Sequence, residues 1–167
     1  MLWGCAVAPV SPAPPHSLSG RLALQVYAAG SGSDVTQNVS AGFEWTGDAL
    51  RGQLDLLSPL GSVLAQARWD EGGAWLRTSG GAPVWHASAD DLAAHALGQR
   101  IPLAAVFDWL QARPWSQASY STVNSMTFEQ LGWRVDLTSH GKGRIVAQRL
   151  DPPLVTLRIQ LDKSSSP

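Results

Sequence analysis

Cys5, the single cysteine of the chain, follows Leu2-Trp3-Gly4 and precedes a Pro/Ser-rich run. An aliphatic residue, a spacer and a small residue before a cysteine form the pattern of a bacterial lipobox. In such a box the thiol is acylated, and cleavage makes the cysteine the first residue. A secretory signal needs a charged start and about 7–15 apolar residues. Nothing of that kind precedes Cys5 here, so either translation starts upstream or the box is no signal. Trp3 also stands where small residues are common. The plain alternative is an incidental surface thiol.

Other chemistry-bearing residues form no comparable pattern. The histidines His16, His86, His95 and His140 lack metal-ligand spacing such as HExxH. Gly141-Lys142-Gly143 lacks the glycine-rich lead of a phosphate loop, and Gly30-Ser31-Gly32-Ser33 reads as a turn and not as a nucleophile elbow. Asp90-Asp91 reads as the first turn of a helix capped by Ser88. These residues call for no enzyme, metal or cofactor.

The 167 residues suit one domain with a sizeable core. A net charge of −1 gives no basic field for nucleic acid. Charged residues make up 15%, against roughly a quarter in ordinary soluble domains. Eight Trp add broad apolar area, each with one N–H to satisfy. Low charge and many indoles fit a protein that handles something greasy, or one with a Trp-rich core. No apolar run reaches the ~18 residues of a spanning helix, so membrane attachment would need a lipid or a small surface element.

The elements that must position these residues begin after a linker. Residues 1–5 read as the remnant of a signal and lipobox, 6–17 as a Pro-rich tether, 18–163 as one domain and 164–167 as a frayed tail. Leu22, Leu24 and Val26 alternate as a half-buried strand. Val39, Ala41, Phe43 and Trp45 mark a second strand, Leu50, Leu54 and Leu56 a third, and Val63, Ala65, Ala67 and Trp69 a fourth. Short strands follow at 74–77 and 83–86. Turn signals between them predict an antiparallel meander. The period then changes. A helix after Ser88 carries Leu92, Ala96 and Leu97 and ends at Gly98; a second starts at Pro102, carries Val106, Trp109 and Leu110 and stops before Pro114. Strands resume at 127–130, 133–137, 144–147 and 154–161. Two short helices cover only part of so long a sheet. The sheet therefore either rolls into a tight barrel or encloses a cavity with the helices.

Leu56-Leu57-Ser58-Pro59-Leu60-Gly61-Ser62 lies between the third and fourth strands, with Leu60 at the tip of a loop. Here the chain resembles the LolB family of outer-membrane lipoproteins, which receive other lipoproteins from a periplasmic carrier. The resemblance runs from about residue 18 to 161 and rests on an ordered set of segments. These are Gly20-Arg21-Leu22-Ala23, Phe43-Glu44-Trp45, Leu54-Asp55-Leu56-Leu57-Ser58-Pro59-Leu60-Gly61, Leu97-Gly98-Gln99-Arg100-Ile101-Pro102-Leu103 followed by Trp109-Leu110, and Gln130-Leu131-Gly132-Trp133-Arg134-Val135. The chain departs from the family in lacking an aromatic near Leu137 and in carrying Lys163 where the family often ends on Trp. Details of the cavity are therefore not carried over.

The resemblance implies a mainly β fold with inserted helices: an incomplete antiparallel barrel with a helical lid over an apolar cavity. It makes Cys5 the lipidated cysteine and gives Pro59, Leu60 and Gly61 the role of a membrane-inserting loop. Leu22, Leu24, Val26, Phe43, Trp45, Leu54, Leu56, Val63, Trp133 and Val135 are the candidate cavity walls; Leu92, Val106, Trp109 and Leu110 are the candidate lid. The implied partners are a periplasmic LolA-like carrier, the acyl chains of cargo lipoproteins and the outer membrane, with the protein anchored there, facing the periplasm. Transfer would need no energy source if each site held the chains more favourably than the last. A receptor with a free mouth makes a monomer the simplest expectation. The competing expectations are a soluble carrier of the same half-barrel type and an envelope assembly protein with a filled core.

Overall fold

The alternation around Leu22, Leu24 and Val26 belongs to a longer strand than the sequence suggests. In the computed structural model, which describes residues 16–30 and 34–163, β1 runs Ser17–Tyr27. Cys5, residues 6–15 of the linker, the turn residues 31–33 and the tail 164–167 lie outside the described residues. The first half of the chain continues as β2 (Val35–Gly47), β3 (Gly52–Leu57), β4 (Val63–Asp70), β5 (Gly73–Thr78) and β6 (Val84–His86). The helices α1 (Ala89–Leu97) and α2 (Leu103–Leu110) follow. The second half supplies β7 (Tyr120–Asn124), β8 (Thr127–Gln130), β9 (Trp133–Asp136), a 3-10 turn at His140–Lys142, β10 (Arg144–Arg149) and β11 (Val155–Leu161).

Among the described residues these strands form one antiparallel sheet in the order β6-β5-β4-β3-β2-β1-β11-β10-β9-β8-β7. The sheet stays open, with β6 and β7 as its edges. The first and last strands pair at its centre, setting Leu22 opposite Ile159, Leu24 opposite Leu157 and Val26 opposite Val155. Phe43 and Trp45 of β2 lie opposite Leu56 and Leu54 of β3. Side chains alternate between faces, so these pairs collect on one inner face. The chain leaves one sheet edge at β6, crosses that face as the two helices and rejoins the other edge at β7.

Local chemistry explains the helix bounds. Ser88 is extended, and its Oγ accepts the Asp91 N–H at 3.1 Å, closing the N-terminus of α1. Gly98 ends it in the left-handed conformation, which a side chain would disfavour. α2 starts after Pro102, and seven of its eight residues are buried. A helix apolar on nearly every side must be enclosed, and α2, polar only at Asp108, lies within the core against the sheet. No helix among the described residues is long and apolar enough to cross a membrane.

Several boundaries differ from the sequence reading. Leu50 is not in β3; it is 71% exposed in a bend, where its N–H donates to Asp48 Oδ1. β9 ends at Asp136, before Leu137. β7 has no counterpart in the reading because every residue in it is exposed, so it carries no burial alternation. β4 contains a bulge. Leu56 pairs with Ala65, but Leu57 pairs with Val63, leaving Leu64 as the extra residue. One inserted residue turns the following side chain to the other face, so Val63 leaves the inner face and is 48% exposed.

Candidate functional site

The inner face of β1–β3 and β11 meets the helices around an apolar cavity of about 80 Å³. The sheet side is formed by Leu22, Leu24, Val39, Phe43, Trp45, Leu54, Leu56, Leu157 and Ile159. The helical side is Leu97 of α1, Ile101 between the helices, and Leu103, Val106 and Leu110 of α2. No polar side chain is among them. Apolar cavities of this kind stay dry, and nothing here could polarise a bond or hold a metal. Trp45 is the one wall residue with a polar atom. Its Nε1 is buried without a hydrogen-bond partner, while its ring packs edge-on to Trp69 at 5.4 Å and against Phe107 at 5.3 Å.

A second apolar cavity, of about 70 Å³, lies beneath α1. It is lined by Ala65, Ala67, Leu76, Leu92, Ala93 and Ala96, and it shares Leu54, Leu56, Leu97 and Leu103 with the first. Those four leucines form the partition. Each cavity has room for only a handful of methylene-sized groups.

Of the residues singled out from sequence, Leu22, Leu24, Phe43, Trp45, Leu54, Leu56, Val106 and Leu110 come together at the first cavity, and Leu92 at the second. Four wall candidates do not. Val26 is buried in the core but lines neither cavity. Val63 is turned outward by the bulge. Trp133 and Val135 are buried in the core cluster, with the Trp133 ring 6.3 Å from Trp109. The lid candidate Trp109 joins that aromatic group, which includes Phe128 at 6.4 Å. The cavity residues Val39, Leu97, Ile101, Leu103, Leu157 and Ile159 were missed. Leu157 and Ile159 do alternate visibly, but only their pairing with β1 brings them to the cavity.

The two helices are held unequally. Trp109 of α2 donates its indole N–H to the buried Gln130 at 2.9 Å. His140 Nε2 lies 3.1 Å from the Leu110 carbonyl at the helix end. Arg113 ion-pairs with the buried Asp108 at 2.7 Å. α1 buries only Leu92 and Ala93. Its Asp90 accepts the Leu103 N–H at 2.9 Å, and burial pushes that carboxyl above its ordinary range. The rings of His86 of β6 and His95 of α1 pack at a tilt of 47° with centroids 5.0 Å apart. Among the described residues no group of three or more His, Cys, Asp or Glu is placed to hold a metal.

Leu60 sits apart from all of this, 95% exposed. The Gly61 N–H donates to the Ser58 carbonyl at 2.9 Å, the Ser58 N–H to the Ser62 carbonyl at 2.8 Å, and the Ser62 N–H to Ser58 Oγ at 3.1 Å. Ser58, Pro59, Leu60 and Gly61 occupy positions i to i+3 of a β-turn, a sequence suited to each position. The turn is tied to itself and holds the Leu60 side chain out in solvent.

An open antiparallel half-barrel with two helices over a dry apolar cavity, and one leucine displayed on a closed turn, defines a class of lidded proteins shaped for hydrocarbon groups. The model of the family described as outer membrane lipoprotein LolB matches residues 15–163, and the chain belongs to the LolB family. It is 34% identical over 165 residues to the outer-membrane lipoprotein LolB of Bordetella petrii, covering 91% of this chain and 81% of the relative. It is 30% identical over 149 residues to that of Neisseria meningitidis, covering 89% and 72%.

Proposed function

We propose that this protein is an outer-membrane-anchored receptor that accepts lipoproteins from a periplasmic LolA-like carrier and delivers them to the outer membrane. One combination carries the reading: a dry apolar cavity beneath a helical lid, beside a turn that holds Leu60 in the open. The family membership and the names of the relatives support it. Transfer needs no catalytic group and no cofactor. Each buried methylene contributes roughly 0.8 kcal/mol, so an acyl chain moves toward whichever site dries it best. Leu22, Leu54 and Leu56 would hold the chain from the sheet side, and Val106 and Leu110 from the fixed helix α2.

The cavity as it stands is smaller than a full acyl chain, so loading requires α1 to yield. α1 is the helix with the smaller buried face. Moving Leu97 off Leu54 and Leu56 would join the two cavities. Lipidation at Cys5 would keep the domain at the membrane, facing the periplasm, and a monomer would leave the lid free.

Purified carrier loaded with a labelled lipoprotein tests this, with transfer followed to wild type and to Leu60→Glu and onward to liposomes. The expected result is that both proteins accept cargo and only the wild type passes it on. A well-folded wild type that takes no cargo would remove the receptor reading.

A further inference from the structure

The outer face of β4–β6 carries features that an acyl cavity does not need. Trp75 of β5 lies opposite Arg68 of β4 on one side and Trp85 of β6 on the other. The two indoles are 49% and 52% exposed. Trp85 is seated over Gly73, where an added Cβ would come within 2.6 Å of its Nε1. Arg77 lies in the next row of that face, opposite Gln66. Arg68 and Arg77 are both exposed. Among the described residues, neither guanidinium has an ion pair or side-chain hydrogen bond, whereas Arg51, Arg113 and Arg134 are all paired.

The acids on this side are occupied or distant. Asp55 accepts from Gln53 and Gln66 at 2.7 and 2.9 Å. Asp70 accepts the Gly72 N–H at 2.7 Å. Glu71 pairs with Arg51, and Glu44 lies opposite Asp55, toward the sheet centre. Two shallow grooves share Gln66 and Arg77. One reaches Arg68 and Trp75; the other reaches Val63, at the foot of the Leu60 turn. The face is therefore continuous with that turn.

We propose that the outer face of β4–β6 is a second membrane-contact surface, selective for anionic lipid headgroups, with the Leu60 turn as its leading edge. This rests on the reading of Leu60 as the residue that enters the bilayer. Arg68 and Arg77 meet lipid phosphates, and Trp75 and Trp85 lie at the interface, where indoles partition. The geometry also fixes a posture. Arg68 is five residues along β4 from Val63, but with Leu64 bulged out the pairing spans four steps of β3, about 13 Å at the strand rise. The headgroup layer is only roughly 5–8 Å deep. A domain standing on Leu60 with its strands upright would hold the indoles clear of the surface, so the sheet lies over on this face.

The test uses the full chain with Cys5→Ser, so that only protein surfaces touch lipid. Co-sedimentation is measured with vesicles of phosphatidylcholine alone and with phosphatidylglycerol added. The expected result is tighter binding to the anionic vesicles, weakening with salt. Arg68→Ala/Arg77→Ala should lower that binding about thirtyfold, at about 1 kcal/mol for each basic residue, and bring it to the neutral-vesicle level. Trp75→Ser/Trp85→Ser should weaken binding to both. Equal binding to the two vesicle types, or an arginine variant that binds as wild type does, would overturn the proposal. So would an arginine variant that binds vesicles normally but accepts cargo slowly, since the face would then serve the carrier. None of these outcomes touches the receptor reading, which fails separately if wild type takes no cargo.

Discussion

The indole N–H of Trp109 and the side-chain oxygen of Gln130 meet at 2.9 Å in the buried core, joining α2 to β8. Gln130 is 2% exposed, and its amide is fully used. The same oxygen accepts the Trp115 N–H at 2.9 Å, and the amide nitrogen donates to the Trp115 and Ala118 carbonyls at 2.8 Å each. One side chain thereby fixes the central helix and the connection leading to β7. Gln130→Leu should leave two N–H groups and two carbonyls without partners. At about 1–3 kcal/mol per stranded buried group, partly relieved by water, the loss should be about 3 kcal/mol or more. Denaturant unfolding measures it; a loss below about 1 kcal/mol would mean that α2 is held chiefly by apolar packing.

Leu60 contributes little to the fold, because its side chain touches solvent and its turn is closed by backbone and Ser58. Leu60→Glu should unfold within about 0.5 kcal/mol of wild type. Onward delivery to liposomes should nevertheless fall sharply. Equal thermal midpoints beside unequal delivery would separate a surface role from a structural one.

How much of this was legible in the chain depends on the range of the interaction. The Leu60 turn could be read from Ser58, Pro59 and Gly61, because turn positions select residues locally. Ser88 and Gly98 marked α1 for the same reason. The wall could be read only where alternation and pairing were both local, as in Phe43 and Trp45 beside Leu54 and Leu56. Val63 failed because a single bulged residue, Leu64, reverses the faces without changing the hydrophobic pattern. Trp133 and Val135 failed because α2 crosses the inner face. Those two side chains are buried in an aromatic core, and periodicity cannot tell a filled compartment from an empty one. Leu157 and Ile159 were missed because β1 and β11 pair across nearly the whole chain.

Leu97 lies in the partition between the two cavities and is half-buried. Leu97→Ala should join them and enlarge the space for hydrocarbon. Fully buried Leu→Ala changes cost about 2–5 kcal/mol; at this partly exposed site about 1–2 kcal/mol is expected. Uptake of a fluorescent fatty acid should become tighter or faster in the variant despite its lower stability. Uptake that falls in step with stability would mean that the partition supports the binding form and does not divide it.

Asp90 gives the lid a pH dependence of definite sign. Burial is the largest influence on its carboxyl and raises its pKa; the Leu103 N–H and Arg100 oppose this, while Asp91 adds to it. The net upward direction means that the folded state holds the Asp90 proton more tightly than the unfolded chain does. Between the ordinary value of 3.8 and the raised one, the native state binds more protons, so this group's contribution to stability falls as pH rises. Above the raised value the full cost of the buried charge is present. Asp90→Asn keeps an oxygen to accept the Leu103 N–H and removes that charge. The variant should be more stable than wild type at pH 7, with the difference shrinking on acidification through the Asp90 titration. Urea midpoints for both proteins across that range check it. A variant less stable than wild type at pH 7 would show that the charge at the start of α1 helps the lid, through the helix dipole or Arg100, more than its burial costs.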